Sequence, residues 1–170
     1  MRKNRRAALQ EAAAYQERVR NDSWSGVQGG LIAGVLLAAA FFLYDLLRFE
    51  PLATPTFLAD LLAAGGERTS ALFERTSTMA RVLWFTVVHL IVFGAVGYGA
   101  AWFFRLSDYR KSIWMGALYG LVICSAVFEG GLRLTGTTIA AVPRWPAILI
   151  GNAIAGVVIV LYMRWKEAAS

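Results

Sequence analysis

The chain has 170 residues, 58% hydrophobic and only 16% charged, with a formal net charge of +6, whereas soluble domains carry about 25% charged residues. Long uncharged stretches exclude an ordinary soluble domain and predict an all-α polytopic membrane protein, since a hydrocarbon core of about 30 Å takes about 20 apolar residues per helix. Membrane topology accounts for the positive charge, so no nucleic-acid partner is expected.

Residues 1–24 read as a basic amphipathic helix with Ala8, Ala12, Tyr15 and Val19 on one face and arginines on the others. The apolar stripe is thin, so the segment is expected to be a cytoplasmic lead-in that enforces topology. It can also rest on anionic headgroups, where each Lys or Arg contributes about 1 kcal/mol, or dock on a partner. Residues 25–170 then form one membrane domain with spans at about 26–47, 82–104, 112–134 and 146–164.

The first span, Gly26 to Leu47, has no charge before Asp45 and carries Gly26, Gly30 and Gly34 at fourfold spacing. Helices in lipid gain little hydrophobic energy by meeting, so small residues that let backbones approach mark a contact face. The apolar run is too long and too far from the N-terminus for a cleaved signal peptide, so it is read as an uncleaved anchor.

The loop 48–81 is expected to face the periplasm. Thr54 followed by Pro55 fits an N-cap and first-turn proline. Phe57, Leu58, Leu61 and Leu62 then form an apolar face ending at Gly65 and Gly66, predicting a short interfacial helix. ERTSALF and ERTSTMA, residues 67–80, repeat at a spacing of seven and read as a polar helical extension into the second span.

The second span holds the only histidine, His89, within FTVVHLIVFG, about 9 Å below its outer end at 1.5 Å per residue. A short inner loop around Ser107 and Asp108 predicts that spans two and three are antiparallel neighbours. The third span is uncharged from Ile113 to Phe128, carries Gly116, Gly120 and Cys124 at fourfold spacing, and reaches Glu129 near its outer end. Cys124, the single cysteine, reads as an inert packing residue. After GGLRLTGTT, the run Pro143, Arg144, Trp145, Pro146 breaks the helix and Pro146 opens the fourth span, where Ala147, Gly151 and Ala155 form a small-residue stripe beside Asn152.

Trp24, Trp84, Trp102, Trp114, Trp145 and Trp165 all fall near span ends, where an indole meets both apolar chains and water. Arg2, Lys3, Arg5, Arg6, Arg18, Arg20, Arg105, Arg110, Lys111, Arg164 and Lys166 lie on one side, against Arg48, Arg68, Arg75, Arg81, Arg133 and Arg144 on the other. The positive-inside rule then predicts both termini in the cytoplasm, in a bacterial inner membrane.

With this topology Asp45, His89 and Glu129 approach the same leaflet and are candidates for a shared polar cluster. Asp45 and Glu129 can instead reach headgroup water or pair with Arg48 and Arg133. His89 is expected as a neutral imidazole bonded across helices to a carbonyl, Asp45 or Glu129. Its sharper roles are axial ligation of a (bacterio)chlorophyll magnesium, for which Phe85 one turn earlier is bulky, or a proton relay. One histidine excludes a bis-histidine haem or a multi-histidine zinc site within the chain.

The sequence has no Walker loop, HExxH, GxSxG, CxxC or dinucleotide fingerprint. A non-enzymatic accessory subunit is therefore expected, stabilising a larger inner-membrane complex, for example photosynthetic or respiratory, through helix packing. The alternatives are a small transporter or channel subunit, and a pigment-binding protein with His89 as axial ligand. The expected partners are membrane lipids and other membrane subunits, and the expected occupants of any site are a (bacterio)chlorophyll or a lipid.

Overall fold

The computed structural model describes residues 2–63, 77–106, 112–134, 136, 138, 142 and 145–169, and all regular structure among them is helical. The helices are α1 (Arg2–Leu47), α2 (Ala53–Ala63), α3 (Thr78–Leu106), α4 (Ile113–Leu134) and α5 (Trp145–Ala168). Four of them, α1, α3, α4 and α5, are long and apolar enough to cross a membrane. Most of the 67–80 repeat, the loop around Ser107 and Asp108, and Pro143 and Arg144 lie outside the described residues.

The N-terminal segment and the first span are one helix. α1 runs without interruption for 46 residues, about 69 Å at 1.5 Å per residue and more than twice the thickness of a hydrocarbon core. No glycine or proline separates residues 2–24 from Gly26, and the Ser25 hydroxyl donates to Asn21 O at 2.9 Å, within the helix, across this junction. The N-terminal segment therefore continues the axis of the first apolar helix.

The four long helices pack through close backbone contacts. A Cβ on Gly30 would strike Phe93 O, and one on Gly97 would strike Gly26 O, so α1 and α3 touch main chain to main chain. Gly34 follows, its missing Cβ replaced by the Phe93 ring. On another face of α1, Gly29 lies against Ile159, Leu37 lies over Gly151, and the Tyr162 hydroxyl donates to Gln28 Oε1 at 2.9 Å, joining α1 to α5. Gly116 and Gly120 of α4 meet Gly156 of α5. Residue numbers run in opposite directions in each pair, so all three pairs are antiparallel, and the helices follow one another in the order α3, α1, α5, α4.

Spans two and three touch at one end only. There the Tyr119 hydroxyl of α4 donates to Val96 O of α3 at 2.8 Å, and its ring packs on Phe103 and Phe104. The close glycine contacts pull α4 toward α5 and not toward α3, so the two helices bound an open space nearer α2. The principal core includes Ala33, Phe93, Val96, Ala100, Ala155, Ile159 and Val160. A smaller one at the α2 end joins Leu132, Val142 and Ile148 to Phe41, Leu61 and Phe128.

The turn from α1 into α2 has a mechanism of its own. Glu50 N–H donates to Asp45 O and Phe49 N–H to Leu46 O, the paired bonds of a Schellman C-cap. Its left-handed residue is usually glycine, but here it is Phe49, with φ 60° and a side chain 93% exposed. A non-glycine residue in this region costs about 1–2 kcal/mol, and no packing among the described residues offsets it. Phe49→Gly is therefore expected to stabilise the protein by about 1 kcal/mol, read as a raised denaturation midpoint in detergent; an unchanged or lowered midpoint would mean that Phe49 is held by the lipid.

The start of α2 corrects the expected cap. Helix begins at Ala53, so Thr54 lies inside the first turn and the cap comes from elsewhere. Ala53 N–H donates to Glu50 O, Thr54 N–H to Asp45 Oδ2 at 2.7 Å, and Thr56 N–H to Leu52 O, while Pro55 has no N–H to satisfy. Every donor of this first turn is thus accounted for. Phe57 is exposed, and Leu58, Ala59 and Leu61 turn inward, Ala59 completely. Asp60 reaches α3 by an ion pair with Arg81 at 2.6 Å.

Candidate functional site

The space between α3 and α4 is a chamber of about 530 Å³. Leu37 and Phe41 of α1 and Ile148 of α5 close it from behind, and Leu52, Leu58 and Leu61 cover it from the α2 side. Phe85, Val92 and Val96 form one wall, and Cys124, Val127, Phe128 and Leu132 the other. Pockets for small molecules run to about 300–1,000 Å³, mostly apolar with a few placed polar groups, and this chamber fits that description.

His89 lines it. Its Nε2 is 3.1 Å from Gly34 O, and the ring lies between Phe85 and Phe93, with centroids at 5.6 and 4.6 Å. A carbonyl oxygen only accepts, so Nε2 carries the proton and Nδ1 is left as an acceptor. Gly34 makes the bond possible, because without a side chain there the imidazole reaches the main chain of α1. Such interhelical bonds are worth about 0.6 kcal/mol, at most about 1.7. The bond engages the nitrogen that an axial magnesium ligand would most readily use.

The three polar candidates do not form one cluster through His89, which bonds to a backbone carbonyl and to neither carboxyl group. Asp45 is completely buried and accepts from both the N–H and the hydroxyl of Thr54. Glu129 accepts from Arg133 Nε at 2.9 Å, one turn along α4. Arg48 donates to the Tyr44 hydroxyl at 2.9 Å. The reason is local: a carboxyl group at the end of α1 sits directly beside the start of α2, whose donors need an acceptor.

Asn152 and α4 supply what the sequence reading passed over. Asn152 is 4% exposed, lines the chamber, and donates through Nδ2 to Ser125 Oγ at 3.1 Å. Ser125 follows a π turn, Gly120–Cys124, inside α4. A π turn inserts one residue and rotates everything beyond it, a device frequent at functional sites, and here it brings Ser125 to Asn152 and Phe128 and Leu132 to the chamber. Asn152 lies on the α5 stretch whose main chain contacts Gly120, but nothing in a single sequence marks a π turn.

Among the helix-packing candidates, Gly26, Gly30 and Gly34 face α3, Gly116 and Gly120 face α5, and Gly151 lies beneath Leu37. Their counterparts, among them Gly97 and Phe93 on α3 and Asn152 and Gly156 on α5, belong to the same chain, so these faces are used within the bundle. The signal for Gly97 was present in the Gly94 and Gly97 spacing of span two. All six tryptophans, Trp24, Trp84, Trp102, Trp114, Trp145 and Trp165, are exposed, as side chains meeting lipid or its interface would be. Among the described residues, no three His, Cys, Asp or Glu side chains come together as a metal site would need.

Comparison with protein families, with characterised proteins and with solved structures finds no match for this chain.

Proposed function

We propose that this chain is a non-enzymatic, multi-pass protein of the bacterial cytoplasmic membrane that holds the apolar chain of a lipid-class molecule in the half of the bundle covered by α2. The observation that carries this reading is the chamber of about 530 Å³, walled by Leu, Val and Phe side chains of α1, α2, α3 and α4 and by Ile148 of α5. A space of that size and apolar lining falls in the range of small-molecule pockets, and in a bilayer the molecules at hand to occupy it are hydrocarbon chains. The positive-inside distribution favours a cytoplasmic location for both termini, and with it a chamber in the periplasmic leaflet.

Protein extracted in mild detergent should then carry a tightly held apolar molecule, seen as a mass adduct in native mass spectrometry. Val127, 43% exposed on the chamber wall, can be enlarged without overfilling the core. Val127→Trp should lose most of the adduct while keeping the helix content and denaturation midpoint of the parent. Retention of the adduct at full occupancy would show that it sits elsewhere.

A second reading, an accessory subunit of a larger membrane complex, is supported by the other end of the molecule. Every described side chain from Gln10 to Glu17 is exposed, Tyr15 included, on a helix that runs past its neighbours. A partner subunit would cover this rod. Deleting residues 2–20 should release such a partner in native gels without affecting the bound lipid, and co-migration that survives the deletion would remove the support.

A further inference from the structure

The polar groups on the chamber wall are not equally occupied. The Thr54 hydroxyl donates to Asp45 Oδ1 at 2.7 Å, and the Thr86 hydroxyl donates to Val82 O at 2.8 Å. Asn152 differs. A side-chain amide has two donors and a carbonyl oxygen with two lone pairs, and this one, 4% exposed, makes a single bond among the described residues, from Nδ2 to Ser125 Oγ. One N–H and the carbonyl oxygen keep their capacity at the wall of an apolar space. His89, its Nε2 committed to Gly34 O, adds the Nδ1 lone pair from α3.

Both residues lie at a similar depth. Asn152 is six residues beyond Pro146 and His89 seven beyond Val82, which puts each about 10 Å from the start of its apolar run at 1.5 Å per residue. Asn152 and His89 thus line the chamber at comparable depth from α5 and α3, and the Asn152 amide offers an acceptor oxygen with an N–H beside it. An alkane tail satisfies none of these, and an ester or ether oxygen can only accept. A hydroxyl both donates and accepts, so it can donate to the Asn152 carbonyl oxygen and accept from an N–H.

We infer that the chamber takes a long-chain molecule ending in a hydroxyl, inserted hydroxyl first, with its O–H donated to Asn152 Oδ1. This rests on the lipid-binding reading and narrows it. Polyprenyl alcohols and lipid-tailed phenols share this chemistry, and they are distinguished by what the native protein carries. A site built to hydrogen-bond an O–H rejects the analogue without it far more strongly than an apolar pocket rejects a change in size, because the polar wall is then left unpaired.

The test is equilibrium binding of radiolabelled palmityl alcohol to the full-length, lipid-stripped protein in nanodiscs, with palmityl methyl ether as competitor. The alcohol should bind at least about tenfold tighter than the ether. Asn152→Leu should bring the two within about threefold by weakening the alcohol alone. Should that variant not fold, the ratio in the unaltered protein still decides. Equal affinities would overturn the hydroxyl assignment and leave the apolar chamber standing, whereas binding of neither probe would overturn both. Mass spectrometry of the extract from natively purified protein supplies the second arm: a prenyl alcohol or a phenol supports the inference and names its source, and an extract containing only esterified phospholipid overturns it.

Discussion

Replacing Gly156 with valine is expected to drive α4 off α5 and to produce the largest loss of stability of any single substitution considered for this protein. A Cβ at that position would strike Gly116 O and would stand 2.6 Å from Gly120 N and 2.7 Å from Gly120 Cα. All three are backbone atoms, which cannot swing aside as a side-chain tip does. Overfilling a packed interior costs about 1–3 kcal/mol, and more where the backbone must shift. Inside lipid no hydrophobic drive between helices compensates, since the apolar surface exposed on separation meets hydrocarbon either way. A loss of about 3 kcal/mol or more follows, along with the Asn152–Ser125 bond, because α4 carries Ser125 away with it. Gly130→Ala is the control: a Cβ there meets nothing within 4 Å, and removing a glycine from a helix stabilises by up to about 1 kcal/mol. Unfolding by a denaturing detergent, followed by circular dichroism, should thus move in opposite directions for the two variants. A Gly156→Val midpoint equal to that of the unaltered chain would mean that α4 and α5 are not in contact at this point.

Composition and hydropathy were enough to locate four apolar spans, because the length of a membrane-crossing helix is set by the bilayer and not by tertiary detail. The glycines at fourfold spacing were legible as contact faces, but their partners were not. Fourfold spacing describes one helix, and choosing Gly97 or Gly156 requires knowing which helix lies opposite. The continuity of α1 was not legible either: composition changes between Trp24 and Gly26, but no residue there stops a helix, and the lead-in helix and the span are one. The Thr54-Pro55 pair was a true signal of a helix start read two positions late, since the acceptor that caps it came from Asp45, nine residues earlier and on another helix. His89 was legible as a bonded imidazole, whereas the chamber beside it was not. A cavity is what remains between helices drawn elsewhere by close contacts, and it leaves no periodic trace in the sequence.

Asp45→Ala should loosen the cover of that chamber at a cost of about 2–4 kcal/mol, adding the loss of a helix cap to the loss of a second hydrogen bond at a fully buried group. The carboxyl group accepts from Thr54 N–H through Oδ2 and from the Thr54 hydroxyl through Oδ1, both at 2.7 Å, and the residue is 0% exposed. Without it the N–H of Thr54 has no acceptor within the first turn of α2, and α2 supplies Pro55, Leu58 and Leu61 to the chamber. Two further variants separate the contributions. Asp45→Asn keeps an oxygen for the N–H and can donate its amide to the Thr54 hydroxyl, which then accepts, so it should lose less than half as much. Thr54→Val keeps the backbone bond and removes only the hydroxyl, and should cost about 1 kcal/mol. Hydrogen exchange over Ala53–Ala63 gives the local readout: amides there should exchange fastest in Asp45→Ala and close to the parent rate in Asp45→Asn, with α5 protected in all three. Equal exchange in the alanine variant and the parent would show that α2 is held by its apolar face alone, and that the carboxyl group is not what fixes the cover in place.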